Sequence, residues 1–280
     1  MKLSNYSLFT SDLHNYGIAR AVEHSAELGF SSVEFVDMWR AERQFPDMLD
    51  ADEVKRTVAK HGLSISCYSM GVALQEEPQE DTLNRVLRQV DFAAKIGAPF
   101  FHHTVTMYSV GMRPMIPIAD MLEKVLPSLK AIAARCAEYG ITTLYEPQGA
   151  YFNGIAGLDL LIGTMRAEGA KNIGFCADIG NCREMDEAAA DVFAHFKNDI
   201  RHVHLKDYVL TKTPPKDVRY YNSIGGMCMY DCEIGQGNLD FAESFDVLRS
   251  IGYQGNFSIE YNCDDVTMRR CLDFVKKFWD

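Results

Sequence analysis

Five times along this chain an amphipathic run ends at a glycine that is followed at once by a short apolar stretch: LGF at 28–30, HGL at 61–63, IGA at 96–98, YGI at 139–141 and IGY at 251–253. Glycine just past a helix is a cap, because it takes the left-handed backbone conformation at no steric cost. A chain punctuated in this way alternates helix with strand. The strand candidates are residues 3–9, 32–36, 63–69, 98–104, 141–146, 173–178, 200–206 and 256–261. Between them lie runs with helical spacing of their apolar residues, such as ARAVEHSAEL and LNRVLRQVDFAAKI. Eight strand–helix units in 280 residues without a compositional break predict an α/β fold, a single (β/α)8 TIM barrel over residues 1–280. The same alternation could build a doubly wound open sheet. Against that, the first strand is not followed by GxGxxG, and no P-loop motif occurs. One interruption breaks the rhythm: residues 207–237, rich in Tyr, Pro and Gly, predict a long lid-like loop between the seventh and eighth strands.

In a barrel the active-site groups sit at the C-terminal ends of the strands. The last inward residues of strands five to eight are Glu146, Asp178, His204 and Glu260, closing TLYE, FCAD, RHVH and FSIE. Alternation supports this for two of them, since Val203/Leu205 and Phe257/Ile259 take the helix-facing side. Three carboxylates and an imidazole at one mouth repel unless a cation joins them. Oxygen and nitrogen donors in this mix suit one divalent metal ion: Mn2+ first, with Mg2+, Co2+ or Zn2+ as alternatives. In HVHLKD, His204 is then a ligand and His202, one layer deeper, is structural. Lys206 continues the inward face and could polarise a substrate oxygen, with Asp207 orienting a neighbour. His103 and His102 end strand four, and His103, nearer the mouth, is the candidate base or hydroxyl contact. Glu34 ends strand two and is expected to anchor loops. His14 and Tyr16, after the first strand, are substrate-contact candidates. Cys228 and Cys232, spaced as CMYDC, read as two lid thiols rather than half of a zinc knuckle, because no second pair is nearby.

The four strand ends, the HxHxKD string and the EIGQGNLDF stretch resemble the xylose-isomerase-like barrel superfamily of sugar phosphate isomerases and epimerases. That group includes inosose isomerases and dehydratases, ketose 3-epimerases, and the barrel subunits of enzymes that cleave C-glycosides. The resemblance covers the whole chain and is strongest from residue 141 onward. It implies that Glu146, Asp178, His204 and Glu260 hold one metal, with the two glutamates also serving as the acid/base pair. Where ketose 3-epimerases carry a substrate-contacting histidine, glutamate and arginine, this chain has Asn181, Phe152 and Leu210. Those departures count against a free-ketose 3-epimerase and leave Asn181 and Phe152 as substrate-binding candidates.

A metal flanked by two carboxylates serves proton abstraction beside a carbonyl. The expected activity is a metal-dependent isomerase or epimerase acting on a keto sugar, an inosose or a 3-keto-glycoside. The alternatives are a lyase eliminating from the same substrates and a non-catalytic sugar-binding barrel. The superfamily also implies a homo-oligomer, or a hetero-subunit in the C-glycoside case. A net charge of -11 excludes a general nucleic-acid binder, which needs basic surface for phosphate. No apolar run approaches the roughly 18 residues of a membrane helix. No secretory signal is read in MKLSNYSLFT, and eight scattered cysteines without a CxxC pair read as reduced thiols, so the expected location is cytoplasmic.

Overall fold

The computed structural model describes residues 6–9, 18–36, 50–110 and 116–279. His14 and Tyr16 lie outside the described residues.

Eight parallel strands close a barrel: β1 (Tyr6–Phe9), β2 (Ser32–Val36), β3 (Ser64–Met70), β4 (Phe100–His103), β5 (Thr142–Tyr145), β6 (Ile173–Asp178), β7 (Ile200–Leu205) and β11 (Phe257–Ile259). Closure is made by β1 against β11, with Tyr6 opposite Phe257 and Leu8 opposite Ile259. All five glycines of the helix–strand junctions have positive φ, between 64° and 94°, and an added Cβ would meet nothing within 4 Å at any of them. Backbone conformation, not space, therefore selects glycine there.

Alternation along the strands sorts the side chains into two layers. Val33, Phe35, Tyr68, Phe101, Phe175, Val203, Leu205, Phe257 and Ile259 are buried in the apolar core, which the helices complete. The barrel interior holds a small apolar cluster of Cys67, Leu144 and Cys176 and, besides it, the buried polar residues Ser69, His102, His202 and His204. A register shift between Val33 and Glu34 marks an irregularity where β2 brings the Glu34 carboxyl into this interior. Glu34 thus does not anchor loops at the mouth; it is fully buried among histidines.

The interruption after β7 is not a structureless lid. Three antiparallel strands, β8 (Asp207–Thr211), β10 (Cys228–Cys232) and β9 (Tyr221–Asn222), form a separate small sheet in the order β8-β10-β9. Cys228 pairs with Thr211 and Cys232 with Asp207, so the runs DYVLT and CMYDC are partners in one ladder. The sheet is tied down at both ends. Asp207 accepts backbone N–H bonds from Tyr208, Gly235 and Gly237 at 2.9 Å and from Leu239 at 3.4 Å. At the far end Ile224 N–H donates to the Glu184 carbonyl and Gly225 N–H to Asp186. The KD of HVHLKD and the GQG of EIGQGNLDF are therefore one structural unit. All eight cysteines are free thiols.

Candidate active site at the barrel mouth

Strand geometry brings the four predicted donors together. Glu146 follows β5, Asp178 ends β6, His204 lies in β7 opposite Asp178 and Ser258, and Glu260 follows β11. One donor atom from each lies within 4.8 Å of all the others. His204 Nδ1 faces Glu146 Oε1 at 2.6 Å, Glu260 Oε2 at 3.6 Å and Asp178 Oδ2 at 3.9 Å. Its Nε2 donates to Glu34 Oε1 at 3.1 Å. A histidine held through one nitrogen by a carboxylate presents the other in a fixed direction, as metal-binding histidines do. Without a metal, a proton on Nδ1 can serve Glu146.

Asp178 is positioned by its own turn. Its Oδ1 accepts the N–H groups of Gly180 and Asn181, both at 2.7 Å, while Oδ2 accepts no hydrogen bond and faces Lys206 Nζ at 3.0 Å. Gly180 permits that approach, because a Cβ there would stand 2.6 Å from Lys206 Cγ and 2.7 Å from the Tyr208 ring. Lys206 Nζ also reaches Glu260 Oε2 at 2.7 Å and Asn181 Oδ1 at 3.3 Å. A buried cationic amine among carboxylates needs such company.

Burial works against every charge here, and the neighbours decide each outcome. Burial would raise Glu146, but His102 and His204 hold it well below the usual carboxylate range. Burial would also raise Glu34, which His204 and His202 hold low. Lys206 is kept charged, against burial, by Asp178 and Glu260. For Asp178 burial pushes the carboxyl up, and the Lys206 ammonium opposes it. The donor set, three carboxylates and an imidazole nitrogen within 4.8 Å of one another, fits one divalent cation.

Other candidates fall elsewhere. His103 turns away from the mouth: its Nδ1 bonds the Thr104 carbonyl at 2.9 Å and its ring packs beside Phe101 and Tyr145. His102 takes the inward place, with Nε2 at 3.3 Å from Glu146 Oε2 and Nδ1 at 3.1 Å from Ser69 Oγ. Phe152 is buried against Tyr151 and does not line the cavity, and Asp207 serves the inserted sheet. Asn181 does line the cavity, with its Nδ2 unpartnered. That cavity, about 370 Å3, opens beside Lys206 and Glu260 and is walled on its outer side by the inserted sheet. Sequence reading passed over Gln148, Glu184, Arg219, Tyr221 and Asp231, which also line it. They lie in loops, in the short 3-10 helix Asn181–Met185 or on the small sheet, where barrel alternation gives no signal.

The model of the xylose isomerase-like TIM barrel family matches residues 22–277. An inosose dehydratase of Geobacillus thermodenitrificans is 24% identical over 227 residues, covering 77% of this chain and 74% of its own. Among solved structures, an L-ribulose 3-epimerase superposes with a TM-score of 0.76 at 14% identity, covering 98% of this chain and 94% of its own. The 3-keto-D-glucoside 4-epimerase of E. coli does so with 0.74 at 17% identity, covering 98% and 100%. At such identities the structural likeness is one of fold. Among the described residues no helix is long and apolar enough to cross a membrane.

Proposed function

The chain belongs to the xylose isomerase-like TIM barrel family, and from that premise we propose that it is a divalent-metal-dependent isomerase or epimerase. Its substrate would be a keto sugar, an inosose or a 3-keto-glycoside, and its reaction proton transfer beside the carbonyl. The observation that carries this reading is the gathering of Glu146, Asp178, His204 and Glu260 donor atoms within 4.8 Å, at the mouth of an otherwise closed barrel. The named activities of the inosose dehydratase relative and of the two epimerase neighbours agree with it.

Glu146, Asp178, His204 and Glu260 would hold the ion, Mn2+ in first place. When bound, the ion would supply a Lewis acid for the substrate's carbonyl and adjacent hydroxyl oxygens, balancing charge as an enediolate develops. The chain's own groups do the rest. Glu146, kept ionised by His102 and His204, and Glu260, paired to Lys206, supply two carboxylates. One takes the proton from the carbon beside the carbonyl and the other returns it. Return to the opposite face of the same carbon epimerises, and return to the neighbouring carbon isomerises. Lys206 holds Glu260 and Asn181 in place and lies within reach of a substrate oxygen that enters the cavity. A homo-oligomer and a cytoplasmic location complete this reading.

A lyase is the second reading, favoured by the inosose dehydratase relative. It needs the same first proton abstraction, followed by loss of a β-substituent. Incubation of the Mn2+-loaded protein in D2O with inososes, ketohexoses and 3-keto-glucosides tests both. Deuterium is expected beside the carbonyl of one class, and Glu146→Gln is expected to slow its entry about 1,000-fold, within the range for a lost acid/base group. Product mass and configuration separate epimerase, isomerase and lyase. Exchange that proceeds undiminished in Glu146→Gln would sink the assignment.

A further inference from the structure

A keto sugar held for reaction must bring its acidic carbon within about 3 Å of the Glu146 or Glu260 oxygens. The cavity continues well beyond that point. From Lys206 the contacts run outward to Asn181 at 3.3 Å, from Asn181 to the Tyr208 hydroxyl at 3.4 Å, and from the Tyr208 ring to the Tyr221 ring at 6.3 Å. The Arg219 guanidinium then lies over Tyr221, 5.5 Å from its centroid. Tyr221 and Arg219 lie at the outer end of this chain of contacts, and Asp231 stands opposite Tyr208 in the inserted sheet. A volume of about 370 Å3 falls within the roughly 300–1,000 Å3 of sites for drug-sized molecules, which are larger than one sugar ring.

The chemistry of the lining narrows the occupant. Two of the lining residues carry a buried polar atom without a partner: Asn181 Nδ2, a donor, and Gln148 Oε1, an acceptor. The Asn181 amide is oriented by Lys206, which can only donate to its oxygen, so its nitrogen is the free atom. Buried unpaired polar atoms are costly unless a ligand or water meets them. A hydroxyl group can satisfy either one, being both donor and acceptor. An apolar aglycone would cover Arg219 and Asp231 without giving either a hydrogen bond. A phosphate or carboxylate would meet Arg219 but also Glu184 and Asp231, which give the outer cavity more negative than positive charge.

We propose that the sheet inserted after β7 forms a second-ring subsite, in which Tyr221, Arg219 and Asp231 take an uncharged hydroxylated ring attached through a glycosidic bond to the reacting sugar. The substrate class is then a keto glycoside of at least two rings, rather than a free ketose or inosose. This rests on the proposed keto-sugar chemistry for the inner half of the same cavity.

The test is calorimetric titration of the full chain, loaded with Mg2+, using methyl glucoside and α- and β-linked glucosyl disaccharides. None of these carries the keto group, so binding is read apart from turnover. At least one disaccharide is expected to bind ten-fold or more tightly than methyl glucoside. The double substitution Arg219→Ala/Tyr221→Ala should bring the two to within two-fold, and Asp231→Ala serves as a second variant if the double one misfolds. Equal affinities, no binding, a preference that survives the substitutions, or tighter binding of glucose 6-phosphate overturns the subsite. Deuterium exchange with the 3-keto forms separates the two ideas. Exchange without a disaccharide preference removes only the subsite, and disaccharide binding without exchange removes only the keto-sugar chemistry.

Discussion

His202 and His204 stand on the same face of β7 and both reach Glu34, at 2.7 and 3.1 Å, with ring centroids 5.2 Å apart. Their second nitrogens meet different surroundings. His202 Nδ1 has no hydrogen-bond partner, and burial lowers the pKa of its ring despite Glu34. His204 Nδ1 faces three carboxylates, and although burial opposes the charge, its pKa is raised well above the usual value, with Glu34 and Glu146 among the causes. Two residues along the strand convert the same side chain from interior scaffold to part of a reactive ring. Depth decides, because His204 reaches Glu260, which lines the cavity, whereas His202 reaches Glu34 below it.

The largest effect should separate these two residues. His204→Ala is expected to weaken divalent-ion binding more than 100-fold in calorimetry and to abolish deuterium exchange, with the circular-dichroism spectrum retained. His202→Ala should do the reverse. It leaves Glu34 with one buried partner fewer, which costs about 3–5 kcal/mol of stability by urea unfolding, while the ion still binds. If both variants lose the ion to the same degree, the upper and lower tiers are one site and the distinction fails.

A third buried histidine extends the comparison to the opposite face of the sheet. Burial lowers the pKa of His103 from an ordinary 6.5 to about 4. Between those values the unfolded chain binds the proton and the folded chain does not, so stability falls as the pH drops through this window. At about 1.4 kcal/mol per pH unit the loss between pH 7 and pH 5 is about 2 kcal/mol. Between the two pH values, urea unfolding should show a loss about 2 kcal/mol smaller in His103→Asn than in the parent chain. A slope identical in both would mean that the ring is already protonated when folded.

Glu34 joins the two tiers, and its effect should be smaller in binding. Glu34→Gln keeps the shape but presents His204 with an amide that can donate or accept, so the orientation of the imidazole is no longer dictated. Loss of such a supporting group typically lowers metal affinity about 10–100-fold. An unchanged affinity would show that Glu146 alone orients His204.

The barrel and its four strand ends were legible because alternation and glycine caps are local signals. Each of Glu146, Asp178, His204 and Glu260 closes its strand in the sequence and stands within one residue of the strand's end in the structure. The His102/His103 pair was not legible in the same way. One residue of register exchanges the two faces of a strand, and FFHH carries aromatic residues before both histidines. Glu34 was misplaced because its partners lie 168 and 170 residues away across the barrel, a contact that no local pattern announces. The small sheet had a readable signal that was passed over: DYVLT is rich in the strand-forming residues Tyr, Val and Thr, and the GG of NSIGGM marks a turn before CMYDC. Tyr, Pro and Gly content spoke for a loop, whereas the pairing is set by backbone hydrogen bonds that composition does not encode.

The smallest effect should come from the wall and sharpen the contrast between it and the mouth. Asp207 adjoins Lys206 in sequence, yet its carboxyl serves four backbone N–H groups of the inserted sheet and the loop that follows, and no substrate cavity. Asp207→Asn keeps one acceptor oxygen and turns the other into a donor facing N–H groups. With Gly235 and Gly237 sharing one carboxylate oxygen, at least one bond to a charged acceptor is lost or weakened, worth about 1.5–3 kcal/mol. Urea unfolding should register that loss, and divalent-ion affinity should stay within about two-fold of the parent. A large fall in ion affinity instead would mean that the wall positions Lys206 and Glu260, and that mouth and inserted sheet act as one unit.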